Sequence, residues 1–594
     1  MSLTIEAALK KDIETAIEAC FQTTVEEFVL QPTKKEFEGT YTFVTFALTK
    51  ALRRSPVQIG QTIGEYLAAH SQVVKGFNVV QGFLNLTIED ETWLDVLSAI
   101  HQDADYGTLP ANGQSVMVEF SSPNTNKPLH LGHLRNNCLG DSVARILKAN
   151  GYEVIKTCLV NDRGIHICKS MLAYQKLGNG ETPASAGLKG DHLAGKYYVL
   201  FDKEYKKQIA QLVAEGMSEE EAAKKAPWIL EAQDLLIQWE KGEPETVALW
   251  EQMNGWVYEG FQKTYDSMGI SFDKTYYESD TYLLGKDIIE EGLKKGVFYK
   301  KEDNSVWIDL TEEGLDQKLV LRGNGTSVYI TQDLGTTELK YSDFHNDRYM
   351  WVVGNEQDYH FNVLFAILKR LGRPYADECF HLSYGMVDLP SGKMKSREGT
   401  VVDADDLLGQ MAQTAENRTR ELGKIEDFAS EEAQNLYHLL ALGALKYFLL
   451  KVDPKKRMLF NPEESIDFQG HTGPFIQYTY ARVRSILRKA EANALAAAIP
   501  AEGYEIHPAE QDVIFHLSQY PVRVMSAGQE FSPALISLYA YELAKFYNQF
   551  YAELSIFSDP DPVAVQFRVA LSDSVAKTIR HAMGLLGIEV PERM

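Results

Sequence analysis

A strand–helix–strand pattern between residues 115 and 160 limits the fold of this chain more than any other feature. Residues 115–120 form a short β-rich run, and 152–160 have the composition of a second strand. Between them, apolar residues recur at helical spacing from Leu134 to Leu147, and Asn150-Gly151 ends the helix. A strand, a helix and a strand in this order form a βαβ unit, so the pattern predicts a parallel sheet.

The rest of the chain divides around this unit, because 594 residues are too many for one hydrophobic core. Residues 1–112 mix helical and strand patterns and predict an α+β domain that ends at Asn112-Gly113. Residues 113–430 form the predicted Rossmann-like parallel-sheet domain, with an insertion over about 170–330 and a loop region over about 385–430. Residues 431–594 are almost exclusively helical in pattern and predict a bundle. The predicted fold class is multidomain α/β with an all-α C-terminal domain.

Several features favour a cytoplasmic protein without a membrane partner. The richest apolar run, 439–450, is too short to cross a bilayer and contains Lys446. The N-terminus has the pattern of an amphipathic helix and lacks the basic start and apolar core of a secretion signal. The five cysteines are scattered without a CxxC pair, which argues against a zinc knuckle and a disulfide framework.

The net charge of −24, taken alone, disfavours a nucleic-acid partner, because phosphate attracts lysine and arginine. A local basic face can still bind while the rest of the surface repels. Basic stretches lie at Lys50–Arg54, Lys455–Arg457 and Arg482–Lys489. For each stretch singly, a solvated surface is the simpler interpretation.

The first chemical motif is His130-Leu-Gly-His133, at the opening of the helix after the first strand. A helix N-terminus offers unpaired N–H groups and a positive dipole end to phosphate. Gly132 allows close approach of a nucleotide, and the two histidines lie on one helical face as hydrogen-bond donors. Two surface histidines near a helix cap are the alternative interpretation, but the position directly after a strand favours a nucleotide site.

The second motif is Lys393-Met394-Lys395-Ser396, followed by Arg-Glu-Gly-Thr. A loop with two lysines can stabilise a leaving pyrophosphate while negative charge develops on it. On its own, the segment is better interpreted as a solvated charged loop.

Together the two motifs resemble the HIGH and KMSKS motifs of class I aminoacyl-tRNA synthetases. The form KMKSREGT departs from KMSKS and is similar to the loop of arginyl-tRNA synthetases. In that family a lysine just before HIGH stands in for the missing lysine, and Lys127 occupies that place. The resemblance extends over nearly the full chain through the segments 161–164, 329–333, 353–361, 470–484 and 585–594.

The resemblance implies the following site residues. Those implied for catalysis are Lys127, His130, His133, Lys393 and Lys395. Those implied for ATP are His130, Gly132, His133, His360, Met394 and Ser396. Those implied for arginine are Ser122, Asn124, Glu278, Tyr329, Asp333 and Gln357, of which Glu278, Tyr329 and Asp333 would hold the side chain. Without the resemblance, Asp333 would be interpreted as a helix N-cap and Tyr329 as a strand aromatic.

The resemblance also implies partners. ATP would arrive with Mg²⁺, and the sequence shows no dedicated protein site for that metal. The helical tail would bind the anticodon region of tRNA(Arg) and the N-terminal domain its elbow, and the first reaction step would need bound tRNA. The RNA-contacting candidates are Phe83, Asn85, Tyr480, Arg482, Arg484 and Tyr547. We expect a monomer.

Three alternatives remain open at this point. A synthetase for another amino acid is one, although a cysteine enzyme should show zinc-type spacing and this chain does not. A nucleotidylyltransferase also uses HxGH but needs no long helical tail. A catalytically inactive synthetase-like RNA-binding protein is the third, and only the departures of the Lys393 loop support it.

Overall fold

The structure is a computed structural model that describes residues 5–25, 28–34, 36–388, 402–421 and 429–594. Its first part is a four-stranded antiparallel sheet in the order β1-β2-β4-β3, covered by helices. Leu84, Leu86 and Ile88 alternate along β4 and are buried against those helices. The elements of this part are α1 (Ile5–Phe21), β1 (Leu30–Pro32), β2 (Tyr41–Val44), α2 (Thr49–Leu52), α3 (Pro56–His70), β3 (Val74–Val80), β4 (Phe83–Ile88) and α4 (Asp90–Gln102).

The middle of the chain is built on a five-stranded parallel sheet in the order β12-β11-β5-β6-β7. Its elements up to the second strand are β5 (Ser115–Glu119), α5 (Leu131–Ala149) and β6 (Glu153–Val160). Strand β5 pairs in parallel with β6 on one side. The βαβ unit predicted from the sequence is therefore confirmed.

Two insertions interrupt this sheet. The first is helical and has its own core around Tyr197 and Phe201; it comprises α6 (Ile165–Leu177), α7 (Pro183–Ala186), α8 (Gly190–Ala214), α9 (Glu219–Lys225), α10 (Pro227–Glu240) and α11 (Pro244–Met268). The chain then returns to the core sheet as β7 (Lys274–Tyr277), which pairs with β6. The second insertion is a small antiparallel sheet in the order β10-β9-β8, with α12 (Glu278–Thr281), α13 (Lys286–Lys294), β8 (Tyr299–Lys300), β9 (Val306–Ile308) and β10 (Lys318–Leu321).

The core sheet is completed by strands that lie far along the chain. The elements that complete it are α14 (Tyr329–Phe344), β11 (Arg348–Gly354), α15 (Asp358–Arg370), β12 (Cys379–Tyr384) and β13 (Val387–Asp388). Strand β11 pairs in parallel with β5 and with β12. Beyond the second motif, the chain continues as α16 (Ala404–Glu421).

The C-terminal part is a helical bundle, as its sequence pattern predicts. Its elements are α17 (Ser430–Leu450), β14 (Met458–Leu459), α18 (Pro462–Ser465), α19 (Gly473–Ala492), α20 (Pro508–Ser518), α21 (Tyr520–Glu530), α22 (Pro533–Glu553) and α23 (Pro562–Leu585). The short strand β14 pairs with β13 and so connects the bundle to the core. Among the described residues, no helix is long and apolar enough to cross a membrane.

A buried lysine joins the core to the bundle. Lys446 of α17 is 3% exposed, and its Nζ donates to the carbonyl oxygens of Met268 and Gly587 at 2.6 Å each. Met268 ends the helical insertion and Gly587 lies in the C-terminal tail. One ammonium group therefore satisfies backbone acceptors from two distant segments.

Candidate active site

The first motif forms the N-terminus of α5. His130 is the N-cap residue, and its Nδ1 accepts from the backbone N–H of Gly132 at 3.1 Å. The Nδ1 of His133 accepts from the backbone N–H of His130 at 3.2 Å. Because both Nδ1 atoms accept, each neutral ring carries its proton on Nε2. The two side chains therefore offer N–H donors at the positive end of a helix.

Burial keeps both imidazoles neutral. It lowers the pKa of His130 to about 3, and the charge of Lys127 acts in the same direction. Burial likewise holds the pKa of His133 well below its usual range. Two neutral N–H donors can bind phosphate oxygens across the whole physiological pH range without changing charge.

Helix α5 is fixed to the core just beyond the motif. The buried guanidinium of Arg135 donates to the carbonyl oxygens of Pro454 and Lys456 at 3.1 and 2.8 Å. Asn136 donates to the carbonyl oxygen of Val352 in β11 at 2.7 Å. These contacts hold the first turn of α5, and with it the two histidines, against the sheet.

Lys127 and His130 line one cavity of about 400 Å³ between the motif and helix α8. Burial lowers the pKa of the Lys127 ammonium. His192, Lys196 and Lys203 of α8 lie in the same lining. The structure thus brings Lys127 together with the first motif, where the resemblance places it.

The second motif lies outside the described residues, and with it Lys393, Met394, Lys395 and Ser396. The chain directly after it pairs with the first motif. The N–H of Leu131 donates to the carbonyl oxygen of Val402 at 3.2 Å, and the N–H of Ala404 donates to Leu129 at 3.0 Å. The described chain therefore resumes at 402 beside His130.

A charged cluster lies next to this junction. Asp191, His192 and Asp405 are the one group among the described residues whose possible metal-binding atoms lie within 4.8 Å of one another. The Lys189 ammonium lies 3.2 Å from Asp191 and also contacts Asp405. Since this ammonium already contacts both carboxylates, we assign no metal ion to the cluster.

A second cavity, of about 570 Å³, opens at the carboxyl ends of the core strands. This is the edge of a parallel sheet at which ligands bind. The structure brings together here all the residues that the resemblance implies for arginine, which are Ser122, Asn124, Glu278, Tyr329, Asp333 and Gln357. We call it the arginine cavity after that expectation, which stays a prediction here.

Helix α14 presents two of these residues on one face. Tyr329 and Asp333 are four residues apart within α14, so both side chains point to the same side. Tyr329 is 81% exposed and opens the helix, which excludes the interpretation as a strand aromatic. Asp333 lies inside the helix, which excludes the N-cap interpretation.

The carboxylates of the arginine cavity favour a cationic ligand. Burial raises the pKa of Glu278 to about 7; Arg163 opposes this rise, while Asp162 and Asp333 add to it. The second carboxylate, Asp333, accepts from Nε2 of His360 at 2.5 Å. A guanidinium that enters between the two acids would offset their repulsion and donate forked hydrogen bonds.

His360 lies in the arginine cavity rather than beside His130. The resemblance implies a role in ATP binding, and the structure places its ring nitrogen on Asp333. Its contact with ATP stays a prediction. Arg163 lines the same cavity. The resemblance includes its segment 161–164 but implies no role for this side chain.

Three of the residues proposed for RNA contact are buried, which argues against their contact with RNA. Tyr480 and Tyr547 are 1% and 0% exposed, and a ring enclosed by helices cannot stack on a base. Asn85 is fully buried in β4, where it accepts from Thr42 at 2.6 Å and donates to Asn78 at 2.8 Å.

The other three RNA candidates lie nearer the surface. Arg482 stacks over the rings of Tyr478 and Tyr551. Arg484 pairs with Glu592 at 2.6 Å. Phe83 is half-buried and packs edge-on against the exposed Phe46. Their contact with RNA stays a prediction.

Family comparisons match three parts of the chain. The family described as "tRNA synthetases class I (R), catalytic domain" matches residues 95–461. The "Arginyl tRNA synthetase N terminal domain" matches residues 7–88, and the "DALR anticodon binding domain" matches residues 476–594. The matched ranges do not fix the domain boundaries predicted at 112 and 430, which stay predictions.

Individual proteins are similar over the full length. An "Arginine--tRNA ligase" of Amoebophilus asiaticus is 56% identical and covers 100% of both chains. One of Bacteroides thetaiotaomicron is 55% identical over 99% of this chain and 100% of its own. The structure of the Thermus thermophilus arginyl-tRNA synthetase superposes with a TM-score of 0.77 at 25% identity and covers 99% of each chain.

Proposed function

The chain belongs to the class I arginyl-tRNA synthetases, and from this premise we propose how its two cavities divide the reaction. The enzyme is an ATP-dependent ligase. It activates arginine as arginyl-adenylate with release of pyrophosphate, and then transfers arginine to the 3′-terminal adenosine of tRNA. A nucleotidylyltransferase is excluded, because the similarity extends over the entire chain.

The arginine cavity binds the amino acid. Glu278 and Asp333 accept hydrogen bonds from the guanidinium, and Tyr329 covers it from the solvent side. Asn124, Gln357 and Ser122 hold the backbone of the amino acid. The observation that carries this assignment is that Glu278 and Asp333 line the same cavity, where burial raises the pKa of Glu278.

This arrangement discriminates against lysine. A single ammonium would leave part of the carboxylate pair without a donor. Each orphaned buried group costs about 1–3 kcal/mol.

The first motif binds the phosphates of ATP. The Nε2–H groups of His130 and His133 and the N-terminal amides of α5 donate to phosphate oxygens, and Gly132 gives them room. The carboxylate of arginine attacks the α-phosphorus, and pyrophosphate leaves. Lys127 offsets the charge that develops on the leaving group, together with Lys393 and Lys395 of the second motif.

The protein needs no side-chain nucleophile for this reaction, because the substrate itself supplies one. Its contribution is to place the two reactants in line and to stabilise phosphate charge. Ser396 and Met394 of the second motif, and His360, are the further ATP contacts that we propose.

Magnesium enters with ATP, on the phosphates. The acidic cluster beside the first motif holds the Lys189 ammonium, and we assign no protein ligands to the metal. When bound, Mg²⁺ supplies charge neutralisation for the phosphates.

The tRNA contacts extend over both ends of the chain. The bundle that includes Arg482 and Arg484 faces the anticodon region, in keeping with the anticodon-binding family that it matches. Phe83 of the N-terminal domain contacts the tRNA elbow. We expect a cytoplasmic monomer, and light scattering of the purified protein should give a mass near 66.9 kDa.

Arginine-dependent exchange of pyrophosphate into ATP, with and without total tRNA, tests the proposal. We expect exchange with arginine only when tRNA is present. Exchange without tRNA would leave the enzyme assignment intact and contradict the tRNA requirement. A folded protein that gives no exchange under either condition would support the catalytically inactive alternative.

A further inference from the structure

Arg163 lies at the boundary between the arginine cavity and the helical insertion. It follows Asp162 in the loop after β6, and only 10% of its side chain is exposed. Arg163 and Glu278 both line the arginine cavity. Both also line an adjoining cavity of about 700 Å³, between the insertion and the segment 322–332. The two side chains therefore meet at the wall that the two cavities share.

Two aromatic rings and one carboxylate hold the guanidinium of Arg163. Its Nη2 donates to Glu240, the last residue of α10, at 2.6 Å. Its Cζ lies 3.9 Å from the ring centre of Tyr282 and 5.4 Å from that of Trp239. Its Nε is buried and has no hydrogen-bond partner among the described residues. The positive charge is thus confined at the wall of the cavity.

The preceding residue, Asp162, fixes the backbone next to Glu278. One carboxylate oxygen of Asp162 accepts from the N–H of Ser279 at 2.8 Å. The other accepts from the hydroxyls of Ser279 and Tyr258, at 2.7 Å each. Two adjacent residues therefore act on Glu278 in different ways, since Asp162 sets its position and Arg163 provides a compensating charge.

We propose that Arg163 is a positioning residue that keeps the half-buried Glu278 in its carboxylate form for the incoming guanidinium, and that Glu240 and the rings of Trp239 and Tyr282 hold Arg163 there. This inference rests on the proposed role of Glu278 in arginine binding. Burial raises the pKa of Glu278 to about 7, and Arg163 is the group that opposes this rise. The charged side chains and histidines around the pair are Glu119, Asp162, His166, Glu240, Asp280, Lys286, Arg322, Asp333, Lys340 and His360.

The sign of the expected pH effect follows from the charge. Arginine binds the carboxylate form, so its KM rises as the pH falls through the pKa of Glu278. Removal of the Arg163 charge moves that midpoint to higher pH. A move of about one pH unit would raise the arginine KM roughly fivefold at pH 7 and leave it little changed above pH 9.

The test measures kcat and the arginine KM of tRNA charging between pH 6 and 9.5. The variants are Arg163→Gln, Arg163→Lys, Glu231→Gln and Glu278→Gln, each checked by circular dichroism for folding. We expect Arg163→Gln to shift the KM midpoint upward while kcat changes less than twofold. Arg163→Lys retains the charge and should shift the midpoint much less. Glu231→Gln, on the same helix as Glu240 but paired with Lys176, is the matched control and should show no shift.

Three results would overturn the inference. The first is an Arg163→Gln variant whose KM rises equally at every pH. The second is an Arg163→Lys or Glu231→Gln variant that shifts the midpoint as far as Arg163→Gln, since the cause would then be something other than the charge of Arg163. The third is a Glu278→Gln variant with a normal arginine KM, which refutes the Glu278 assignment as well. The first two leave that assignment standing, so the two failures are distinguishable.

Discussion

At the scale of single residues, Lys127 provides the sharpest test of the ATP site. We expect Lys127→Ala to lower the rate of ATP–pyrophosphate exchange about 100-fold, because one charged contact to the leaving group is lost. The arginine KM should change little. Lys206→Ala, on the exposed part of α8, serves as a control. Adenylate formation at the full rate in Lys127→Ala would show that Lys127 does not replace the missing lysine of the second motif.

Asp333 tests the arginine cavity independently of Glu278. Asp333→Asn keeps the shape and removes the charge that faces the guanidinium, so the arginine KM should rise about 10- to 100-fold. The ATP KM should stay within twofold. Asp343→Asn, on the same helix but bonded to Tyr276, is the matched control. Equal rises in both variants would point to damage of α14 instead.

The same scale shows what the sequence could predict. The six residues implied for arginine lie in several segments of the sequence and line one cavity. Their meeting was predictable because short motifs mark the carboxyl ends of parallel strands, which share one edge of the sheet. The sequence could not show that Tyr480 and Tyr547 are buried. An aromatic residue in a helical pattern has the same spacing whether it faces the core or the surface. The position of Arg163 in the cavity could not be predicted, because its stacking partners, Trp239 and Tyr282, lie more than seventy residues away in the sequence.

At the scale of elements, the N-terminus of α5 combines a structural and a chemical role in one residue. His130→Ala removes both the cap and the imidazole, whereas His130→Asn keeps a capping side chain. We expect amides in the first turn of α5 to exchange hydrogen about fivefold faster in His130→Ala, since a cap contributes about 1 kcal/mol. They should be unchanged in His130→Asn.

Pyrophosphate exchange should fall at least tenfold in both variants of His130, because neither supplies the Nε2–H donor. Full exchange activity in His130→Asn would mean that the histidine serves only as a cap. For the hydrogen-exchange measurement, the amides of α22, which lie far from α5 in the sequence, provide the reference rate in both His130 variants.

Elements also differ in how well the sequence predicts them. The βαβ unit 115–160 was predictable because apolar periodicity marks both strands and the helix. Strand β7, only Lys274–Tyr277, was hidden inside the predicted insertion 170–330. It follows the long helix α11 and consists of Lys-Thr-Tyr-Tyr, without an aliphatic residue. Only its pairing with β6 in the structure identifies it as a strand.

At the scale of the whole molecule, Lys446 of the bundle bonds to the helical insertion and to the C-terminal tail. We expect Lys446→Met to lower the midpoint of thermal unfolding by several degrees, because two buried carbonyl groups lose their donor at about 1–3 kcal/mol each. The exposed Lys545→Met of the same bundle should leave the midpoint unchanged. An unaltered midpoint in Lys446→Met would show that these two hydrogen bonds do not contribute to the stability of the protein.

The order of strands in the core sheet has a consequence for how the enzyme is made. The central strand β5 pairs with β11, and Ser115 bonds to Asp347 across 232 residues of chain. At about 5–20 residues per second, ribosomes need roughly 10–50 s to synthesise that stretch. During this time β5 has one open edge and the first motif lacks its partner segment at 402–404. The nascent chain therefore exposes an open, aggregation-prone sheet edge until β11 has been made.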